Sequence, residues 1–390
     1  MSPTRARRIA LLTSGRQDWG ILRSTCAAIR QRADLELRLL AGGMHLAERY
    51  GRTVELIRED GFEPADELRW LISRDGRDPD VEDQAGVALS EVGRALRRAM
   101  PEALVLAGDR FETAAAALAA TVLRVPIVHL HGGEQTEGAF DDALRHAITK
   151  LAHLHLVSHE EHAARVAAMG EDPATIHVVG PPALDALFRD DLAARNELET
   201  VLGLALSPPV VVVTVHPATL EADPVAALAP VIAAMDSVPG TYVITLPNAD
   251  PGSETIRASM LQAAARDPAR RVAVEALGER RYWGLMRVAD AMLGNSSSGI
   301  LEAPAVGLPA VDVGDRQRGR RREGYVLEVP AEASATSAAL RLALEPATRA
   351  AVVAARPRLA DGRVGERVAD IIAAWQPPVP PRKRPIVLRS

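Results

Sequence analysis

Two histidines and several acidic residues cluster around the end of one short apolar run. The segment VPIVHLHGGEQTEGAFDDALRH covers residues 125–146, and its apolar run leads into His131, Glu134 and then Asp141. Imidazole and carboxylate groups accept and donate protons near neutral pH, and they also bind metals. No H-E-x-x-H pattern occurs, and the histidines of HLHLVSHEEH, residues 153–162, belong to different predicted elements. The pattern therefore favours acid–base chemistry over a metal site.

Polar residues also follow the other predicted strands of the first half. IALLTSGRQDW ends near Arg16, LRLLAGGMH ends in His45, and LVLAGDR ends in Asp109 and Arg110. Ligands of parallel sheets bind beyond the carboxyl ends of the strands. One polar residue at such a place is often only a helix cap. Several of them at one sheet edge indicate a binding or catalytic site.

The second half repeats this arrangement with residues suited to phosphate. VVVVTVHP includes His216, VITLPNAD includes Asn248, and GNSSSG places Ser296 and Ser297 between a predicted strand and a predicted helix. Backbone N–H groups at the N-terminus of a helix bind phosphate. The glycine patterns of dinucleotide and P-loop sites are absent, and so is the G-x-S-x-G nucleophile motif. We therefore predict a phosphate site of another kind.

A run of arginines, RQRGRRR at residues 316–322, follows the predicted strand PAVDVGD. Nucleic-acid surfaces usually combine basic runs with aromatic residues and an overall basic charge. This run has no aromatic residue, and the chain carries a net charge of −5. We predict that Arg316 contacts a phosphate and that the later arginines are exposed.

Short apolar strands alternate with helix-length segments in two blocks, which predicts an α/β chain with two Rossmann-like doubly wound domains and a cleft between them. We place the first domain at residues 1–184 and the second at 185–363, with GPPALDALFRDDL as the crossing. The amphipathic helix 364–376 is expected to complete the first domain. The Pro- and Arg-rich tail, 377–390, is predicted to be flexible.

Composition excludes several classes of protein. The chain has 390 residues and 25% charged residues, and the negative net charge argues against a nucleic-acid or anionic-membrane partner. No apolar run reaches the length of a membrane span. Cys26 is the single cysteine, so no internal disulfide is possible and a cytoplasmic location is expected.

The ordered motifs resemble one family, the hydrolysing UDP-N-acetylglucosamine 2-epimerases, which include the NeuC-like enzymes of sialic-acid and related nonulosonate pathways. The resemblance runs from about residue 8 to about residue 330. It is carried by the motifs SGRQDWG, GGMHLAERYGRT, LAGDRFE, HLHGGEQTEGAFDDALRHAITKLAHLH, VGPPALD, HPATL, PNADPGSE, GNSSSGILEAP and GDRQRGR. No single one of these motifs is specific to the family, but the whole set in this order is.

This resemblance implies the GT-B fold and a two-step reaction. UDP is expelled from UDP-N-acetylglucosamine (UDP-GlcNAc) to give a 2-acetamidoglucal, and water then adds to give N-acetylmannosamine with inverted C2. Turnover in the family needs neither NAD nor a metal, and relatives form dimers or tetramers, so a homo-oligomer is expected.

The resemblance also implies roles for residues. The acidic active-site positions match Asp109 and Asp141, and His45 matches a position near the sugar. The UDP-side positions match Arg16, Arg110, His216, Asn248, Ser296, Ser297, Glu302 and Arg316, with Glu302 on the ribose and Ser296, Ser297 and Arg316 on the diphosphate.

One position departs from much of the family. Many relatives read H-x-E-G-G-E and use the first glutamate in catalysis, whereas this chain reads HLHGGE with His131 at that place. Either His131 acts directly or Glu134 takes over the role. The sequence also leaves open the same chemistry on a UDP-2,4-diacetamido-2,4,6-trideoxyhexose or a GDP-linked GlcNAc, a GT-B glycosyltransferase, and a non-catalytic UDP-sugar sensor.

Overall fold

The computed structural model describes residues 5–73, 78–322 and 324–383. Its contacts divide the chain into two compact units. Unit 1 comprises Met1–Glu134, Asp141–Asp185 and Ala360–Ser390, and unit 2 comprises Gln135–Phe140 and Ala186–Leu359. The last part of the predicted flexible tail, residues 384–390, lies outside the described residues.

Unit 1 contains a parallel sheet of seven strands in the order β3-β2-β1-β4-β5-β6-β7. Its strands are β1 (Arg7–Thr13), β2 (Leu35–Gly42), β3 (Asp66–Leu68), β4 (Ala103–Ala107), β5 (Ile127–Leu130), β6 (Leu154–Val157) and β7 (Ile176–Val178). The helices between them are α1 (Arg16–Arg30), α2 (Val54–Glu59), α3 (Val81–Ala99), α4 (Phe111–Val122), α5 (Asp141–Leu151) and α6 (Glu160–Ala168).

Unit 2 contains a parallel sheet of six strands in the order β10-β9-β8-β11-β12-β13. Its strands are β8 (Val210–Thr214), β9 (Thr241–Thr245), β10 (Arg271–Val274), β11 (Ala291–Gly294), β12 (Ala310–Val313) and β13 (Val326–Val329). Its helices are α7 (Arg195–Leu202), α8 (Leu228–Ser237), α9 (Ser253–Ala265), α10 (Gly278–Val288), α11 (Glu302–Val306), α12 (Ala333–Leu344) and α13 (Pro346–Ala354).

The central strands of both sheets are continuous apolar runs because helices cover both of their faces. Every residue of β4, β5 and β8 is buried. The prediction of two Rossmann-like α/β domains is confirmed. The short edge strands β3 and β13 were not predicted, since each is only three or four residues long and partly exposed.

The last helix, α14 (Val364–Ala374), belongs to unit 1 and packs on α1. Asp185 accepts hydrogen bonds from the backbone N–H groups of Val364 (3.0 Å) and Gly365 (2.7 Å), which caps the start of α14. Arg7 Nη1 donates to Trp375 O (2.7 Å) at the other end. A Cβ at Gly365 would lie 2.5 Å from the Ser24 carbonyl carbon, so the two helices approach closely only because residue 365 is glycine.

Candidate active site

A buried arginine connects the loops that follow β4 and β5 in unit 1. Arg145 on α5 donates from Nη2 to Asp109 Oδ2 and from Nη1 to Glu134 O (2.9 Å) and Asp142 Oδ1 (3.0 Å). Its side chain is only 1% exposed. Burial opposes the charge of Arg145, but the neighbouring carboxylates outweigh it and raise its pKa. Arg145 therefore orients Asp109 and the backbone of Glu134 together.

His129 fixes the loop after β4 from within the sheet. The ring is completely buried, its Nε2 donates to Gly108 O (2.8 Å), and its Nδ1 lies 3.2 Å from Thr149 Oγ1. Burial lowers the pKa of His129 to about 3, so the ring is neutral at physiological pH. These contacts make His129 a structural support for the residue that precedes Asp109.

His131 and Glu134 form a hydrogen-bonded pair after β5. His131 Nδ1 lies 2.7 Å from Glu134 Oε1, and Ser158 Oγ donates to the same oxygen (3.1 Å). His131 has a φ of +63°, a left-handed conformation that is uncommon outside glycine and is often retained at functional sites. Among the described residues, its Nε2 has no hydrogen-bond partner although the atom is buried.

A second polar group lies at the ends of β1 and β4 in unit 1. Asp18 accepts hydrogen bonds from the backbone N–H (2.9 Å) and the hydroxyl of Ser14, and Arg110 Nε donates to Glu112 Oε1 (2.9 Å). Burial raises the pKa of Asp18 to about 6, and the carboxylate of Glu112 contributes to this rise. Arg16 is the first residue of α1, beside this group in sequence.

His45 lies in the core of unit 1. The ring is completely buried, Nε2 lies 2.8 Å from Thr13 Oγ1, and Nδ1 lies 2.7 Å from Thr53 Oγ1. Burial lowers the pKa of His45 to about 3. Threonine hydroxyls therefore engage both ring nitrogens of His45, and its contact with the sugar stays a prediction.

In unit 2, Asn295 joins the ends of β8 and β11. Its Oδ1 accepts from the N–H of His216 (2.7 Å), and its Nδ2 donates to the carbonyl of His216 (2.8 Å). Gly294 has a φ of +140°, and a Cβ there would lie 1.9 Å from Thr214 O, so only glycine permits this approach. His216 is therefore held beside the GNSSSG loop through its backbone.

Arg316 extends this connection to the loop after β12. Its Nε donates to Pro217 O (3.1 Å), and its Nη1 donates to Asn295 O (3.1 Å). Gln317 Nε2 donates to the same Asn295 oxygen (2.7 Å). Three loops at the carboxyl ends of β8, β11 and β12 thus share one set of hydrogen bonds, which brings His216, Ser296 and Arg316 into one region of unit 2.

The GNSSSG loop leads through one short helical turn into a second short helical segment. Ser297–Gly299 form one 3₁₀ turn, in which the Ser296 side chain accepts from the N–H of Ser298 (3.3 Å). The α-helix that follows, α11, begins at Glu302 and has only five residues. Ser296, Ser297, Glu302 and Asn248 are each partly exposed. The loop therefore lies between the strand β11 and the short helix α11, which agrees with its predicted place between a strand and a helix.

The segment Gln135–Phe140 packs within unit 2 against the arginine run. Glu137 N–H donates to Arg318 O (3.0 Å), Arg318 Nε donates to Glu137 Oε2 (2.9 Å), and Arg320 Nε donates to Thr136 Oγ1 (2.9 Å). A Cβ at Gly138 would lie 2.9 Å from Arg316 Cα. The segment therefore contacts the backbone of Arg316, the residue predicted to bind phosphate. Glu134 precedes the segment in sequence, and Asp141 follows it.

The prediction that the later arginines of this run are all exposed is wrong for two of them. Arg320 is half-buried beside Thr136, and Arg322 is partly buried and forms ion pairs with Asp312 Oδ2 (3.2 Å) and Glu328 Oε1 (2.9 Å). Carboxylate and hydroxyl groups from distant segments cover these guanidinium groups, which a count of charges along the chain does not reveal.

A family model described as UDP-N-acetylglucosamine 2-epimerase matches residues 27–373. The chain belongs to this family.

Two relatives of the UDP-N-acetylglucosamine 2-epimerase family illustrate the match. The GDP/UDP-N,N'-diacetylbacillosamine 2-epimerase (hydrolyzing) of Campylobacter jejuni is 31% identical over 324 residues, covering 83% of this chain and 84% of that one. The UDP-N,N'-diacetylbacillosamine 2-epimerase (hydrolyzing) of Legionella pneumophila is 33% identical over 342 residues, covering 87% and 89%. The resemblance seen in the motifs is thereby confirmed.

The fold is also that of solved members of the 2-epimerase family. A crystal structure of UDP-GlcNAc 2-epimerase from Neisseria meningitidis bound to UDP-GlcNAc gives a TM-score of 0.78. The identity is 15%, and the likeness covers 94% of this chain and 100% of that chain. The two parallel α/β units are therefore those of the GT-B-like fold of these epimerases.

Three residues that the sequence reasoning gave no role support the two groups of candidate residues in this epimerase-family chain. Arg145 orients Asp109, Ser158 contacts Glu134, and Asn295 holds His216. Arg145 could have been found from DDALRH, because an arginine three and four residues after two aspartates shares a helix face with them. Nothing in the local sequence marks Ser158 or Asn295.

The histidines of HLHLVSHEEH have protein partners. His155 Nε2 lies 3.1 Å from Glu171 Oε2, and His162 Nδ1 lies 2.9 Å from Ser158 Oγ. Within residues 5–73, 78–322 and 324–383, no group of three or more His, Cys, Asp or Glu side chains is arranged to hold a metal ion. No helix in the same described part is long and apolar enough to cross a membrane.

Proposed function

We propose that this chain is a hydrolysing 2-epimerase that converts UDP-GlcNAc and water to UDP and N-acetylmannosamine. The observation that carries the proposal is membership of the UDP-N-acetylglucosamine 2-epimerase family over residues 27–373. Relatives named as hydrolyzing 2-epimerases align over more than four-fifths of the chain. No NAD or metal enters the proposed reaction.

In the first step, the C1–O bond to UDP breaks and a proton leaves C2, so that a C1=C2 double bond forms. Positive charge develops near C1 as UDP departs, and a fixed carboxylate lowers the energy of that state. We assign this task to Asp109. The buried guanidinium of Arg145, which donates to Asp109, supports a carboxylate that stays ionised through the reaction.

In the second step, water adds to C1 of the 2-acetamidoglucal and an acid delivers a proton to C2 from the opposite face. This inverts C2 relative to the substrate and requires two proton-transfer groups in all. We assign one of these to Asp141, the first residue of α5, and the other to the His131–Glu134 pair.

UDP is assigned mainly to unit 2. We propose that Ser296, Ser297 and Arg316 contact the diphosphate, that Glu302 contacts the ribose, and that His216 and Asn248 contact other parts of UDP. The hydrogen bonds of Asn295 to His216 and of Arg316 to Asn295 support this assignment, because they hold these loops in one arrangement before a ligand arrives. Arg16 and Arg110 are further UDP contacts that the resemblance implies.

A second substrate is a UDP-linked 2,4-diacetamido-2,4,6-trideoxyhexose. The relatives from Campylobacter jejuni and Legionella pneumophila carry names that specify diacetylbacillosamine. The same elimination and hydration apply to this sugar, because it shares the 2-acetamido group and the bond from C1 to UDP.

One assay tests the proposal and separates its alternatives. The full chain is incubated in D₂O and EDTA, without an acceptor, with UDP-GlcNAc or with UDP-N,N'-diacetylbacillosamine. We expect UDP and a free 2-epimeric sugar that carries deuterium at C2. Consumption of only the diacetamido sugar would select the second substrate. Intact UDP-sugars in both reactions would contradict the epimerase proposal, and dependence on an added acceptor would indicate a glycosyltransferase.

The proposal includes a cytoplasmic homo-oligomer, either a dimer or a tetramer, as the resemblance implies. Cys26, the one cysteine, is free and buried, which agrees with a reducing compartment. Light scattering on the purified chain tests the oligomeric state, and a mass equal to the 41.6 kDa monomer would contradict it.

A further inference from the structure

The resemblance places His131 where many relatives have a catalytic glutamate, and Glu134 Oε1 lies 2.7 Å from His131 Nδ1. We infer that the two residues work as one unit, in which His131 Nε2 takes the proton from C2 and Glu134 is a positioning residue that acts through His131. The inference deepens the proposed function and rests on it. It assigns different tasks to two residues that the sequence leaves as alternatives.

The direction of the hydrogen bonds decides which group is the base. An ionised carboxylate only accepts, so at the 2.7 Å contact His131 Nδ1 carries the proton and donates it to Glu134 Oε1. A neutral imidazole has one donor and one acceptor nitrogen. The contact with Glu134 therefore leaves Nε2 as the basic nitrogen of His131.

The burial of His131 Nε2 supports a direct role for this nitrogen in the reaction. His131 is 8% exposed, and among the described residues its Nε2 is a buried atom with no hydrogen-bond partner. A buried acceptor without a partner destabilises the folded state. The left-handed backbone at His131 adds a further cost. Both costs are explained if Nε2 is reserved for a proton on the substrate.

Glu134 is held by further hydrogen bonds to its carboxylate and to its backbone carbonyl. Ser158 Oγ donates to Glu134 Oε1 (3.1 Å), and His162 Nδ1 lies 2.9 Å from Ser158 Oγ. Burial lowers the pKa of His162 to about 4, so this ring is neutral and donates its Nδ1 proton to Ser158. Arg145 holds the Glu134 carbonyl (2.9 Å). Glu134 has an oriented carboxylate, as expected of a positioning residue.

The proposed step balances. The electrons of the C2–H bond form the C1=C2 double bond, the electrons of the C1–O bond leave with UDP, and the proton moves to His131 Nε2. The imidazolium then donates through Nδ1 to the Glu134 carboxylate, which stabilises the new charge. The proton passes to water before the next turnover.

A nuclear magnetic resonance measurement tests the tautomer without any substrate. The full chain is labelled with ¹⁵N-histidine, and the His131 signals are assigned by their loss in His131→Asn. Asparagine tolerates the left-handed backbone, so this variant retains the local conformation. We expect a protonated Nδ1 and an unprotonated Nε2 in His131. His129, whose Nε2 donates to Gly108 O, provides the opposite tautomer as an internal contrast. A protonated Nε2 in a neutral His131 overturns the inference.

A double-mutant cycle tests whether Glu134 acts through His131. Glu134→Gln alone is expected to lower kcat by about 10–10³-fold with little change in KM, and His131→Asn alone by about 10²–10⁴-fold. In the His131→Asn background, Glu134→Gln should cost less than about 3-fold further, because its partner is already gone. The matched control is Glu160→Gln, an exposed residue at the start of α6.

The outcomes separate this inference from the proposed function. A wild-type chain that is inert towards both UDP-sugars contradicts the proposed function, and the catalytic part of the inference with it. An active wild type in which Glu134→Gln abolishes turnover while His131→Asn is near normal makes Glu134 the base. An active wild type in which the two losses multiply shows that Glu134 does not act through His131. Either of the last two results overturns the inference and leaves the epimerase intact.

Discussion

Arg145 and Asp109 are 36 residues apart in sequence, and the guanidinium Nη2 of the first donates directly to the carboxylate Oδ2 of the second. The arginine side chain is 1% exposed, whereas the aspartate side chain is 19% exposed. The positive partner is therefore buried, and the negative partner reaches the surface of unit 1 at the carboxyl end of β4. This arrangement favours an aspartate that meets a ligand and an arginine that only orients it.

Arg145→Lys should lower turnover more than it lowers the amount of folded protein. Lysine retains the charge but not the planar group that reaches Asp109, Asp142 and the Glu134 carbonyl together. We expect a fall in kcat of at least about 10-fold and a loss of about 1–3 kcal/mol in unfolding free energy. Urea unfolding and steady-state kinetics measure the two. If the folded variant kept an unchanged kcat, the proposed role of Arg145 in orienting Asp109 would be contradicted.

Asp109→Asn and Asp141→Asn should each reduce kcat by orders of magnitude, about 10²–10⁴-fold, because each removes a charge or proton from the proposed chemistry. Asp142→Asn provides a comparison, since Asp142 also bonds with Arg145 but has no proposed contact with the sugar. Its effect should be clearly smaller. Circular dichroism and thermal melting establish that all three variants fold. Near-normal turnover in either of the first two would disprove that assignment.

Gly138→Ala should weaken UDP binding. The added methyl group would lie 2.9 Å from Arg316 Cα and 3.1 Å from Arg316 O, so either the segment 135–140 or Arg316 must move. We expect the Kd for UDP, measured by calorimetry, to rise by about 10-fold or more, equivalent to about 1.4 kcal/mol.

Gly86→Ala is the matched control for that change. Gly86 is an exposed residue within α3, and no atom lies within 4 Å of the position of its new methyl group. Alanine is favoured over glycine within a helix, so stability should stay equal or rise by up to about 1 kcal/mol. UDP binding should be unaffected. If Gly138→Ala and Gly86→Ala had equal Kd values for UDP, the proposed contact of Arg316 with the diphosphate would be contradicted.

Asp18→Asn should change how stability depends on pH. The pKa of Asp18 is raised to about 6 in the folded chain from an ordinary value of 3.8, chiefly by burial. Protonated Asp18 therefore favours the folded state below about pH 4, and this contribution is lost as pH rises through 6. Relative to the wild type, Asp18→Asn should gain stability between those values, because asparagine still accepts the Ser14 hydrogen bonds without ionising.

Urea unfolding at several pH values between 4 and 7 measures this difference for Asp18→Asn. Asp83→Asn, at an exposed position in the first turn of α3, serves as the control and should run parallel to the wild type. A difference between Asp18→Asn and the wild type that stays constant across this range would contradict the assignment of a raised pKa to Asp18.

Local patterns were sufficient for the architecture and for the family. Continuous apolar strands such as VVVVT, residues 210–214, are typical of a parallel α/β sheet with helices on both faces, and the order of apolar residues in the sequence locates them. The places of the candidate residues after β4 and β5 also follow from the sequence, because ligands bind at the carboxyl ends of parallel strands, and their roles stay predictions. The edge strands β3 and β13 escaped prediction, since three or four partly exposed residues give too weak a pattern.

The sequence by itself determined the two α/β blocks, the motif order that resembles the 2-epimerase family, and the presence of histidine at position 131. Only the tertiary structure decided which side chains contact one another. Asn295 meets His216 across 79 residues, Ser158 meets Glu134 across 24, and His45 is enclosed by two threonines. Such contacts depend on how helices and strands pack, to within a few tenths of an ångström, and on the direction of each donor. Local propensity carries no information on either.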